Sequence, residues 1–195
     1  EDYYVFNKLA KGLIGTNNVD NCSRLCHAPS AAGLVAAFGL SGGTNAFDAL
    51  DQTDCILLVG ANPTEAHPVV GARLKRLVRQ GARLVVIDPR RTELAGVADV
   101  HLANLPGSNV AVFHGLAHLL VTAGYVDETF LADRATGLPE LRRTIDDYDP
   151  DRVSRIAGVP AEMLRLAAEL YGSAARPAIV YGLGVTEHAH GTDGV

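Results

Sequence analysis

Cys55-Ile-Leu-Leu-Val-Gly60 and, one helix later, Arg83-Leu-Val-Val-Ile-Asp88 decide the fold. Each is a continuous apolar run of strand length, the pattern of a strand buried on both faces, as in parallel sheets. Between them, Pro68 to Gln80 carries Leu74, Leu77 and Val78 on one helical face and Arg73, Lys75, Arg76 and Arg79 on the other, and Gly81 stops it. The alternation continues downstream. Val100-His-Leu-Ala103 reads as a third, shorter strand, Asn109 to Ala123 as an apolar helix stopped by Gly124, and Pro177-Ala-Ile-Val-Tyr-Gly182 as a last strand. Helices are expected over 127–132, 138–148, 153–157 and 160–171. The expectation is an α/β fold: a mainly parallel sheet with helices on both faces, Rossmann-like, with ligands bound at the carboxyl ends of the strands.

Upstream of this unit, Tyr3, Phe6, Leu9, Ala10 and Leu13 form a helical stripe, broken at Gly15-Thr-Asn-Asn18. Cys26-His27 follows. Ser30 is read as the cap of a helix over Ala31 to Phe38, which places Cys26 on a loop ahead of a helix N-terminus, where partial positive charge favours a thiolate. Gly39 to Thr44 reads as a loop and Asn45 to Asp51 as a short helix. Residues 1–195 are thus taken as one α/β domain, of which 1–54 holds the N-terminal helix and the Cys-His loop. The abrupt ends, Glu1-Asp2 and Gly191-Thr-Asp-Gly-Val195, are those expected of a piece of a larger multidomain subunit.

Composition narrows the function classes. Across 195 residues the apolar share is 48%, enough for a packed core, and a formal charge of −5 with no basic run argues against a nucleic-acid surface. No apolar stretch is long enough for a membrane span. Three cysteines make a disulfide framework a poor reading, so a reducing, cytoplasmic setting is expected, the periplasm being the compartment that a cleaved export signal would allow.

The strand ends carry the chemistry. Gly60-Ala-Asn62-Pro-Thr-Glu65 offers a glycine for close backbone approach, an amide and a carboxylate. Asp88-Pro-Arg90 offers an acid suited to ribose hydroxyls or a guanine edge and a guanidinium suited to phosphate. Gly107-Ser-Asn109 opens a helix whose free N–H groups can hold an anion, and Gly182-Leu-Gly184-Val185-Thr186 has the same character. Any one of these is also an ordinary turn; together they point to a nucleotide. The first βα turn lacks G-x-G-x-x-G and no P-loop is present, which disfavours a standard NAD or ATP site.

Taken in order, Ile14-Gly-Thr-Asn-Asn-Val-Asp20, Cys22-Ser-Arg-Leu-Cys-His-Ala-Pro-Ser30, Gly60-Ala-Asn-Pro63, Glu65-Ala-His-Pro68, Ile87-Asp-Pro-Arg90, Gly107-Ser-Asn109 and Gly182-Leu-Gly-Val-Thr186 resemble the molybdopterin oxidoreductase family, and within it the formate dehydrogenases. The resemblance spans nearly the whole chain. It implies molybdenum, or tungsten, held between two molybdopterin guanine dinucleotides, with Cys26 as a metal ligand and His27 as the catalytic residue beside it. It further implies dinucleotide contacts at Gly60, Asn62, Glu65, Asp88, Arg90, Gly107 and Asn109, and a pterin approached by Gly184, Val185 and Thr186. Glu187 stands where some members carry glutamine. The implied reaction is formate to carbon dioxide, with electrons leaving through iron–sulfur clusters, including a [4Fe-4S] cluster outside this segment, towards electron-transfer subunits. The other domains of the same subunit are further expected partners. A segment of this length is expected to be inactive alone.

Read from the residues without the resemblance, Cys26 is also a small buried residue and His27 a loop histidine. Zinc at Cys22, Cys26 and His27 lacks a fourth ligand at suitable spacing. Cys22 and Cys55 are expected in the core. His67 is expected to cap or pack a helix start, and His114 and His118, four apart on an apolar helix, to serve core or interface. Arg73, Lys75, Arg76 and Arg79 read as a solvated face. A nitrate reductase of the same family and a nucleotide-binding module without redox chemistry are the rival functions.

Overall fold

The computed structural model describes residues 1–195. In chain order, α1 (Asp2–Lys8) runs into a π-helical turn (Leu9–Ile14) and is followed by α2 (Ser23–Cys26), α3 (Ala28–Phe38) and a 3₁₀ turn (Phe47–Gln52). The sheet then begins: β1 (Cys55–Val59), α4 (Pro63–Ala66), α5 (Pro68–Arg79), β2 (Arg83–Ile87), a 3₁₀ turn (Ala95–Val97) and β3 (Val100–Leu102). Five helices come next, α6 (Asn109–Thr122), α7 (Glu128–Arg134), α8 (Leu138–Ile145), α9 (Pro150–Ala157) and α10 (Ala161–Gly172). The chain ends with β4 (Pro177–Tyr181), α11 (Leu183–Thr186) and α12 (Gly191–Gly194).

All strands pair in parallel, in the order β3-β2-β1-β4. The expected α/β architecture is the observed one. Strand pleating sends alternate residues to opposite faces, and both faces are covered. Ile56, Leu58, Leu84 and Val86 meet Leu74 and Leu77 of α5 on one side. Leu57, Val59, Val85 and Ile87 meet α6, α9 and α10 on the other, through Val112, Leu116, Val153 and Leu164. Each such fully buried side chain is worth roughly 1.5–3 kcal/mol of apolar burial. β4 closes one edge more loosely, with Ile179 58% exposed on the face where Leu57 is buried.

Several local readings change. α3 starts at Ala28 rather than Ala31, because Pro29 suits a first helical turn, where its missing N–H would be unsatisfied anyway. Ser30 is therefore inside the helix and does not cap it. The helical turn α4 after β1 was not expected. The arginines of α5 are not simply solvated: Arg73 Nη1 donates to the Phe47 carbonyl at 2.7 Å and Arg76 Nη2 pairs with Asp51 at 2.6 Å, which pins the 3₁₀ turn over 47–52 to α5. The N-terminal stripe packs against nothing: Tyr3, Phe6 and Leu13 are 83%, 68% and 80% exposed.

Candidate functional site

β1 leads to β2 on one side, while β4 returns to the other side of β1, so the chain changes direction between β1 and β4. A crevice opens at that reversal, outside the strand carboxyl ends. Gly60 ends β1, and its N–H bonds the Ile87 carbonyl at 2.8 Å; Gly182 N–H bonds Val59 O at 3.0 Å, and Gly184 N–H bonds Gly60 O at 2.9 Å. Gly60 sits at φ +53°, and a Cβ there would lie 2.7 Å from Gly184 Cα; a Cβ on Gly184 would lie 2.6 Å from Gly60 Cα. These glycines thus admit each other's backbone, a tighter requirement than the ligand approach expected for Gly60.

The crevice deepens into a cavity of about 630 Å³, within the range of small-molecule sites. Gly60, Asn62 and Glu65 line it after β1, and Asp88 and Arg90 after β2. Asn104 and Asn109 line it after β3, Gly182, Gly184 and His188 after β4, and His27 and Phe47 reach it from the N-terminal segment. Seven of the expected cofactor contacts meet here: Gly60, Asn62, Glu65, Asp88, Arg90, Asn109 and Gly184. Gly107, Val185 and Thr186 do not line it. Gly107 makes the turn before α6 at φ +87°, Val185 is 2% exposed in the core, and Thr186 is 1% exposed and spends its hydroxyl on a carbonyl.

The polar groups of the cavity are partly committed. Asp88 is 3% exposed; its Oδ1 accepts from the Arg90 N–H at 2.8 Å, and Arg90 Nε lies 3.6 Å away, so the acid holds its own turn and draws the guanidinium back over it. Asn62 Oδ1 accepts from Thr64 Oγ1 at 2.7 Å, while Glu65 forms no ion pair. Ser108 Oγ donates to the Leu105 carbonyl at 2.6 Å instead of capping α6, so the first-turn N–H groups of that helix have no side-chain cap.

Asn104 was not anticipated. It is 2% exposed, and its Nδ2 donates to Asn109 Oδ1 at 3.1 Å, which in turn donates from Nδ2 to Gly184 O at 2.8 Å. This amide chain ties the end of β3 to the end of β4. Asn104 Oδ1 is buried with no partner, a costly state for a polar atom. The signal in sequence was an amide two residues past the end of the short strand, which by itself reads as a turn residue.

Cys26 and His27 enter from the side. Cys26 ends α2 half-buried and does not line the cavity, whereas His27, the next residue, does and stays exposed. Thr186 Oγ1 donates to the Cys26 carbonyl at 2.7 Å, Tyr181 Oη donates to Ser30 Oγ at 2.9 Å, and Ser30 Oγ lies 2.9 Å from His27 Nδ1. Thr186 after β4, Tyr181 at the end of β4 and Ser30 in α3 therefore hold the Cys-His turn against the sheet. Cys26 closes α2 instead of lying on a loop, two residues ahead of α3. Partial burial pushes the Cys26 thiol above its ordinary value, and a hydrogen bond with the Cys22 thiol and the charges of Cys22 and Glu187 push the same way. Cys26 closes one turn of helix with Cys22 four residues before it, which is why the two thiols meet.

The other candidates fall outside the crevice or serve packing. Cys22 is exposed, not core; Cys55 is buried, which pushes its thiol up to about 11. His114 stacks edge-on to Tyr148 at 4.6 Å, and burial lowers its pKa; His118 Nδ1 bonds the Ile145 carbonyl at 3.1 Å. His67 is the N-cap residue of α5 without a side-chain cap bond. No three His, Cys, Asp or Glu side chains cluster as a metal site. A nucleotide portion of a larger cofactor fits what is present: a cavity of suitable size, a buried carboxylate, an orphaned buried acceptor, an uncapped helix start and exposed imidazoles at the rim.

The family model described as molybdopterin oxidoreductase matches residues 1–195. The "F420-dependent formate dehydrogenase 1 subunit alpha" of Methanococcus maripaludis is 42% identical over all of this chain and 29% of its own length. "Formate dehydrogenase H" of Escherichia coli is 40% identical over all of this chain and 27% of its own. A "Nitrate reductase" of Synechocystis is 37% identical over 98% of this chain and 27% of its own. The chain thus spans under a third of the curated relatives it matches. Acetylene hydratase from Pelobacter acetylenicus superposes with a TM-score of 0.82 at 23% identity, over 98% of this chain and 26% of that one, a likeness of fold.

Proposed function

This chain belongs to the molybdopterin oxidoreductase family, and from that premise we propose that it is the Cys-His and dinucleotide-binding portion of a formate dehydrogenase catalytic subunit. The observation that carries the reading is His27 on the wall of the strand-end cavity with Cys26 joined to it by one peptide bond. Gly60, Asn62, Glu65, Asp88, Arg90, Asn109 and Gly184 would hold a guanine dinucleotide there, with Asn104 Oδ1 as an added acceptor. When bound, the molybdenum or tungsten bis-molybdopterin guanine dinucleotide supplies a centre that takes two electrons from formate.

The chain's own residues do the rest. Cys26 would hold the metal through its thiolate sulfur, since a metal ligand must be deprotonated. Thr186 fixes the Cys26 backbone through its carbonyl, so the sulfur is offered from a held turn. His27 would orient the formate carboxylate by donating to it from the ring edge at the cavity, a role open to an imidazole N–H. An iron–sulfur cluster outside this segment would carry the electrons on to partner subunits. The low cysteine content supports a cytoplasmic setting.

The test is metal content by mass spectrometry in the full-length protein, beside Cys26→Ala. About one molybdenum or tungsten per chain, reduced or labile in the variant, together with formate-dependent reduction of an artificial acceptor, is the expected result. Neither metal in a folded preparation from a cell that makes the pterin sinks the reading. The similarity to a nitrate reductase favours a second reading: metal present, no formate oxidation and nitrate reduction instead would establish that one.

A further inference from the structure

Ser30 is 7% exposed, and its hydroxyl has partners on two sides: Tyr181 Oη at 2.9 Å from the end of β4, and His27 Nδ1 at 2.9 Å from the turn before α3. His27 and Tyr181 both line the cavity. A serine hydroxyl has one hydrogen, and so has a tyrosine hydroxyl. If Ser30 donated to Tyr181, the phenol hydrogen would have no acceptor within the chain. The arrangement that uses both hydrogens is Tyr181 to Ser30, and Ser30 to His27 Nδ1. In that arrangement the neutral ring carries its hydrogen on Nε2, because the bond made at one ring nitrogen sets the state of the other.

We propose that Tyr181 is a positioning residue for His27, holding the imidazole through Ser30 as the Nε2–H tautomer, so that the edge left free at the cavity is a donor and not an acceptor. A donor edge is what an anionic, carboxylate-type substrate requires, and an acceptor edge would repel it. The inference rests on the proposed role of His27 at the substrate, but the tautomer itself does not. It also gives the last strand a role in the chemistry. Tyr181 is 151 residues from Ser30 in sequence, and only the pairing of β4 with β1 brings the two together.

The test uses the full-length protein labelled with [15N]histidine, with His27→Gln to assign the ring resonances. The wild-type ring is expected as a single Nε2–H tautomer. Ser30→Ala and Tyr181→Phe are expected to give a mixture of tautomers, and Ser30→Thr, which keeps the hydroxyl, to restore the single one. Metal content measured on every variant shows that the site is still assembled. A wild-type ring protonated on Nδ1, or a ring unchanged in both Ser30→Ala and Tyr181→Phe, overturns the proposal whatever the activity. A tautomer that shifts as expected in a protein that does not oxidise formate upholds the positioning of His27 and rejects the formate reading.

Discussion

The sheet unit from β1 to β4 and the segment ahead of it obey different rules. In the former, Ile56, Leu58, Leu84 and Val86 are at most 1% exposed, and β1 and β2 are covered on both faces. In the latter, Tyr3, Phe6, Leu13, Leu25 and Phe38 are all more than 60% exposed, and the residues that matter are held by a few hydrogen bonds. The sheet unit is stable for its own reasons, through apolar area removed from water. The leading segment places a Cys-His pair at the cavity rim by borrowing that rigidity, through Thr186 to the Cys26 carbonyl and Tyr181 to Ser30. Reactive side chains on a short turn, oriented by a scaffold that does not itself react, are the usual arrangement of a site.

The sharpest way to break the contrast is to cut the same apolar volume from each region. Leu84→Ala, in the sheet, is expected to cost about 2–5 kcal/mol, and Leu13→Ala, in the exposed stripe, to lie within about 0.5 kcal/mol of zero; denaturant titration of residues 1–195 measures both. Equal losses would show that the stripe is packed after all. Next in size is Gly184→Val. Its Cβ would press on Gly60 backbone atoms at 2.6 and 2.9 Å, which cannot yield as a side chain tip can, so about 3 kcal/mol is expected, read as a lowered unfolding midpoint. An unchanged midpoint would mean that the two strand-end loops do not touch.

Thr186→Val keeps shape and removes the hydroxyl that holds Cys26. About 1 kcal/mol is expected, with faster amide exchange over residues 23–38 and none in the strands. Exchange that stays slow there would move the tie elsewhere. The smallest effect concerns Asp54, whose carboxylate accepts from the Arg176 and Ala175 N–H groups, both at 2.9 Å, and so staples the start of β1 to the start of β4. The Arg176 N–H contributes most to holding its pKa below the ordinary value. A group with a depressed folded pKa adds stability above its unfolded pKa, and that stability is lost as the pH falls through the folded value. The loss therefore belongs below about pH 4, and it is small because the group is exposed. Asp54→Asn should flatten the acid limb of a stability–pH curve, and an unaltered limb would remove Asp54 from the account.

The legible part of this protein was what local pattern controls. Continuous apolar runs at 55–59 and 84–87 can be satisfied only by burial on both faces, and the periodicity of 68–79 fixes which side of that helix meets them. The Cys26-His27 pair and the polar residues after each strand were visible as chemistry, and the rule that ligands sit at strand carboxyl ends gathered Asn62, Glu65, Asp88, Arg90 and Asn109 in advance. What stayed hidden depends on which strand lies beside which. That β4 pairs with β1 is a contact across more than a hundred residues, and it alone makes Gly60 and Gly184 mutual neighbours, removes Val185 and Thr186 from the cavity wall, and brings Tyr181 to Ser30. The orphaned oxygen of Asn104 is of the same kind. An amide in a loop sequence has no assigned burial or partner until the tertiary structure closes around it, because hydrogen bonding and desolvation act between atoms that the chain order does not place together.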